Sequence, residues 1–133
     1  MSTNPNAFAT GTGQNKQADT GAGGFALQNA TPNILTWTAP NDGLAHTFTV
    51  DGQVHVTAAP QTGGVIQVAY TQPDGNGQTT QLDAGNHAAT GTFGLGSGGV
   101  LSRVVQAGTT VTVQQGTAMT AGTAVLFASL YGA

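Results

Sequence analysis

The chain has no cysteine, no glutamate and only two cations among its 133 residues. Without cysteine there is neither a disulfide nor thiolate chemistry to invoke. The cations, Lys16 and Arg103, lie far apart in sequence. Nucleic-acid binding draws on several Lys or Arg side chains that displace counterions, so that class is excluded, and anionic membrane surfaces are disfavoured for the same reason. The anions are Asp19, Asp42, Asp51, Asp74 and Asp83, too scattered to furnish a paired-carboxylate hydrolase. No apolar stretch approaches the ~18 residues of a membrane span. The opening "MSTNPNAF" lacks the charged-then-apolar pattern of a signal peptide, so the chain reads as not exported by that route. Large apolar residues are also few, with 11 Val, 8 Leu, 2 Ile and 5 Phe. A small core under a Thr, Gln, Asn and Gly surface suggests a β protein that draws part of its stability from neighbours.

What is present divides into two regions. Residues 1–32 carry dispersed glycines and no sustained period, and their large apolar residues, Phe8, Phe25 and Leu27, are isolated. This segment reads either as a tail or as an extended arm that orders on a partner surface with Phe8 and Phe25 as anchors. From Asn33 onward, Val, Thr and aromatic runs alternate with Gly, Pro, Asn and Asp clusters, which is an all-β texture. "LAHTFTVDGQVHVTA" (44–58) holds an Asp-Gly pair that resembles a hairpin turn. Folding back at Asp51-Gly52 would mix core and solvent residues on each face. Read straight through, Leu44, His46, Phe48, Val50, Val54 and Val56 share one face, and Thr47, Thr49, Asp51, Gln53 and His55 the other. One strand therefore runs through, with Gly52 marking a bulge or a close backbone approach.

By contrast, "VIQVAYTQ" (65–72) and "QTTQLD" (78–83) flank a five-residue turn at 73–77. Pairing Gln72 with Gln78 keeps their apolar residues on one face, which predicts a hairpin there. The final run "TAVLFASLY" (123–131) is apolar on both faces: Val125, Phe127 and Tyr131 on one, Ala124, Leu126, Ala128 and Leu130 on the other. Such a strand is sandwiched inside the domain or packed against another subunit, and Leu126, Ala128 and Leu130 are the candidate interface residues. About eight short strands, with no amphipathic helix, predict a jelly-roll β-sandwich over 33–133 with an extended N-terminal arm over 1–32.

Candidate chemistry is sparse. "GLGSGG" (94–99) formally matches a dinucleotide fingerprint, but a strand and a turn follow it rather than a helix, and no acidic residue occurs after Asp83. It reads as a glycine loop. His46 and His55 fall on opposite faces of one strand and cannot share a metal, while His87 near Asp83 leaves a site short of ligands. His46 reads as a hydrogen-bonded residue at the edge of the core. No serine sits in a nucleophile elbow. Neither an enzyme nor a cofactor is expected. Trp37, Tyr70 and Tyr131 are the only Trp and Tyr candidates for stacking a sugar; of these Tyr70 and Tyr131 fall on faces read as inward, and Trp37 alternates with Leu35.

The segments "ILTWTAPNDGLAHTFTVDGQVHVTA", "GGVIQVAYTQPDGNGQ" and "VVQAGTTVTVQQGTAMTAGTAVLFASLYG" resemble the jelly-roll domains of tailed-bacteriophage virion proteins. These include capsid decoration (cement) proteins and head- or tail-fibre tips, several with tumour-necrosis-factor-like topology. The resemblance spans roughly 33–132 and rests on texture and strand order. It implies a non-catalytic structural protein, commonly a homotrimer, attached through its N-terminal segment. On that basis the expected function is decoration of the outer phage head after synthesis in the host cytoplasm. The expected partner is the major capsid protein, with Phe8, Phe25 and Leu27 in the binding arm. The alternative is a trimeric fibre-tip or lectin-like module that reads a host glycan through Trp37 or the loops at 73–77 and 84–99.

Overall fold

A computed structural model of the chain describes residues 14–133. Ten strands follow in order: β1 (Asn15–Asp19), β2 (Phe25–Ala26), β3 (Asn33–Thr38), β4 (His46–Gly63), β5 (Ile66–Thr71), β6 (Gly77–Asp83), β7 (Gly91–Gly94), β8 (Val100–Val105), β9 (Thr110–Gln115) and β10 (Met119–Gly132). Among the described residues there is no helix. One sheet runs β1-β10-β4-β7, with β2 also on β10 and β8 also on β4; the other runs β3-β9-β5-β6. All pairings between strands are antiparallel.

β1 and β2 are two pieces of one strand lying along β10, and β7 and β8 are two pieces of one strand lying along β4. Counted so, there are eight strands: the first pairs with the eighth, the second with the seventh, the third with the sixth and the fourth with the fifth. That nesting is one long antiparallel ribbon folded over and rolled, the jelly roll expected from the sequence. β4·β10 and β5·β9 close the roll.

Alternation along the strands fills the space between the sheets. Phe48, Val50, Val54 and Val56 from β4 and Ala124, Leu126, Ala128 and Leu130 from β10 face Leu35, Ile66, Val68, Leu82, Val111 and Val113. β4 passes straight through Asp51-Gly52, and Gly52 lies opposite Ala128 with φ at +146°. A Cβ there would collide with the Phe127 carbonyl oxygen and sit 2.7 Å from the Ala128 Cα. On its other side the Gly52 N–H donates to Gly99 O at 3.0 Å, and its carbonyl accepts from Leu95 N at 3.0 Å. The glycine loop at 94–99 is thus tied to this close approach, with Leu95 fully buried beneath it.

Three expectations are corrected. The described part of the segment taken as an arm belongs to the sandwich. β1 and β2 form the roll's first strand, and Leu27 N donates to Ala124 O, Met119 N to Gln28 O and Gln115 N to Pro32 O at 2.9, 2.9 and 3.0 Å. Leu27 is buried and Phe25 packs against the core, so both are occupied by their own domain; Phe8 lies outside the described residues. Second, Leu126, Ala128 and Leu130 are core, not subunit interface. They are 0–5 % exposed, and it is Val125, Phe127 and Tyr131 that point outward, each half-buried. Third, the β5–β6 hairpin pairs Tyr70 with Gln78 and Val68 with Thr80, two residues from the expected register. A slip of two preserves the face of every side chain, so the core assignment survives it.

Candidate functional site

Three places bring polar chemistry together. At one end, the loop before β4 folds Asp42 back so that its Oδ1 accepts from Leu44 N at 3.0 Å and lies 2.8 Å from His46 Nε2. His46 Nδ1 meets the Ala133 O, and the Trp37 ring stands edge-on to the imidazole at 6.4 Å. His46 is nearly buried, as expected of a core-edge residue. The Asp42 hydrogen bond, then that to Ala133, raises its pKa above the ordinary value; the same His46 contact lowers that of Asp42. The imidazole staples β4 to the chain's last described residue, and both its nitrogens are engaged, so it has no free acceptor for a substrate.

At the opposite side, His87 Nε2 lies 2.9 Å from both carboxylate oxygens of Asp83, and its ring stacks on Phe93 at 3.6 Å and 11°. Asp83 is buried and its Oδ2 accepts from Gly85 N at 3.1 Å. Carboxylate and imidazole satisfy one another and fasten the loop after β6. Among the described residues no group of three His, Cys, Asp or Glu could hold a metal.

Trp37 and Tyr70 do not offer the expected platform. Trp37 is half-buried under Gly132, where an added Cβ would strike the indole, and His46 covers it from the side. Tyr70 packs edge-on against Phe48 at 5.6 Å. In the 73–77 turn, Asp74 is committed to Asn76 and to Gln106.

What remains is an apolar edge that the sequence reading missed. Among the described residues β8 pairs only with β4, which leaves its other side as an edge of backbone donors and acceptors. Its outward residues include Val100 and Val104, 45 % and 65 % exposed, and Leu44 beside Val104 is 65 % exposed. Leu44, Ala45, Val104 and Ala107 line a notch of about 230 Å³. An exposed, β-branched edge strand is a ready template for pairing with another chain. The signal was present in "VLSRVV", whose Val100 and Val104 occupy outward positions once Phe48 is set opposite Arg103.

No protein-family model matches the sequence, and no curated protein matches it either. Among solved structures, the chain is similar to one in the structure of infectious bursal disease virus strain Gx. The identity is 15 %, with 90 % of this chain and 30 % of that one covered, at a TM-score of 0.46. A chain of strain Gt gives 14 % identity, 90 % and 38 % coverage, and a TM-score of 0.26. This chain therefore spans well under half the length of those it resembles.

Proposed function

We propose that the protein is a structural component of a virus particle: a decoration protein that binds the outer surface of a tailed-phage head, through the major capsid protein, and stabilises it. The observation that carries the reading is the open β8 edge with Leu44, Val100 and Val104 beside it, on a closed roll whose histidines and carboxylates are mostly committed to its own loops. The jelly-roll topology and the resemblance to phage virion domains support it. The mechanism is mass action: a protein that binds only the assembled lattice stabilises that lattice by its binding free energy, repeated over many sites. Burying a Leu or Val side chain contributes about 1.5–3 kcal/mol. The homotrimer implied by the same resemblance belongs to this proposal, with its contacts outside Leu126, Ala128 and Leu130; light scattering on the purified chain tests it.

Gold-labelled antibody on intact particles from the source tests the attachment. Label over the whole head is expected, and its loss with Val104→Asp at unchanged melting temperature assigns the contact to β8. Label confined to the tail or fibre ends overturns decoration in favour of a fibre tip, and unlabelled particles overturn the virion role.

A further inference from the structure

A second concavity, of about 560 Å³, lies on the outward face of the six-stranded sheet, reaching from β1 across β10 to β4. Its floor is set by register. Asp51 on β4 lies opposite Ser129 on β10, and Gln53 lies opposite Phe127. Side chains directly opposite across an antiparallel pair stand about 5 Å apart. A carboxylate, a hydroxyl, a carboxamide and an aromatic ring are thereby gathered on one small patch. Lys16 and Asp19 from β1 form the wall.

The groups on the floor are unspent. The Asp51 carboxylate is half-buried, yet among the described residues no donor reaches it. Burial holds its carboxyl above the ordinary carboxylate value, with Lys16 only partly offsetting this. Among the described residues the Ser129 hydroxyl has no side-chain partner either. Gln53 uses its Nε2 on His55 at 2.9 Å, which leaves its Oε1 open. Lys16 is neutralised by Asp19 at 3.1 Å. The Phe127 ring, steadied by His55 at a centroid distance of 4.8 Å, supplies the apolar element.

This pattern selects its ligand by exclusion and by fit. An anion would face Asp51 with no free cation to hold it. A divalent metal would find Asp51 and an Asp19 already paired to the Lys16 ammonium, too few ligands for a cation site. A neutral ring that carries several hydroxyls satisfies every group: its O–H groups donate to Asp51 and the Gln53 Oε1, and its C–H face rests on Phe127. We propose that this groove is a binding site for a neutral saccharide, with Asp51 and Gln53 as acceptors and Phe127 as the apolar contact. Asp51 also stands opposite Val100, so the groove adjoins one end of the β8 edge, but sugar binding by the isolated chain is read without any attachment to a particle.

The test is a titration of the full ¹⁵N-labelled chain, followed by amide shifts, with glucose, galactose, mannose and N-acetylglucosamine, and separately with putrescine and calcium chloride. At least one sugar is expected to give saturating shifts at Asp51, Gln53 and Ser129. Asp51→Asn should weaken that binding tenfold or more at unchanged melting temperature, and Gln53→Ala should weaken it independently. No saturating shift with any of the four sugars overturns the proposal, as does equal binding by Asp51→Asn. A stronger response at these amides to putrescine or calcium than to any sugar also overturns it, in favour of a cation site.

Discussion

Gly52 holds φ at +146°, and the backbone of β10 occupies the space a Cβ would need. Because the obstacle is backbone rather than a flexible side-chain end, neither strand yields cheaply. Gly52→Ala combines φ strain with overpacking, and a loss on the order of 3 kcal/mol is expected. A lowered urea midpoint with an unchanged slope would show it. His46 gives a prediction of a different kind, because its charge is part of its bond to Asp42. Its folded-state pKa is raised above the ordinary 6.5, so its contribution is fully present below that value and is lost as pH rises through the folded pKa. Asp42 is lowered below its ordinary 3.8, so its contribution is present above that value and is lost as pH falls through the lower folded one. The pair therefore stabilises most between about pH 4 and pH 6.5. Melting temperatures measured across pH should show the gap between the wild type and His46→Gln widening in that window and narrowing as pH rises through the raised folded-state pKa. A gap that is flat across pH would mean that the imidazole acts by packing alone.

The roll's first strand, β1 with β2, decides what a truncation does. Since Leu27 is core and three backbone hydrogen bonds tie 27–32 to β9 and β10, a chain starting at Asn33 loses an edge of one sheet and should not fold. A chain starting at Gln14 retains every described strand and should melt with the full-length protein. Leu27→Ala should cost about 2–5 kcal/mol, as for other buried leucines; a loss below 1 kcal/mol would return the segment to the role of an arm. The sequence reading missed this strand for a physical reason. "NKQAD" lies on the sheet edge, pairs with β10 through its backbone and needs almost no apolar side chain, so periodicity carries no trace of it. β4 was legible because both its faces are specified, and parity over Phe48, Val50, Val54 and Val56 outweighed a local turn signal at Asp51-Gly52. β10 was half legible. Its two apolar faces were visible, but which of them faced inward depends on β4 lying beside it, a pairing across more than half the chain. The groove over Asp51 was invisible for the same reason, because its floor exists only once Asp51 and Ser129 are set opposite each other.

As a whole, the molecule carries two cations and five anions on 133 residues, and each cation lies close to a sheet edge: Lys16 on β1, paired to Asp19, and Arg103 on β8. Long-range steering requires clustered charge of one sign, and salt weakens binding only where charges across the contact attract. Here the proposed contact is apolar, with a single cation at its rim. Attachment to the particle should therefore be slow to begin, near the 10⁵–10⁶ M⁻¹s⁻¹ of uncharged surfaces. Its Kd should change less than about threefold between roughly 0.05 and 0.5 M sodium chloride, a range over which screening removes most exposed charge–charge attraction. Sulfate at equal ionic strength should tighten it, because excluded salts favour apolar burial, and calorimetry should return a negative heat-capacity change. Tenfold or greater weakening in sodium chloride would move the contact from the Leu44–Val104 edge to Arg103 and an acidic partner surface, and Arg103→Gln would then abolish that sensitivity. The opposite result, binding indifferent to Arg103→Gln and lost with Leu44→Asp, would leave apolar burial as the force that holds the protein to its particle.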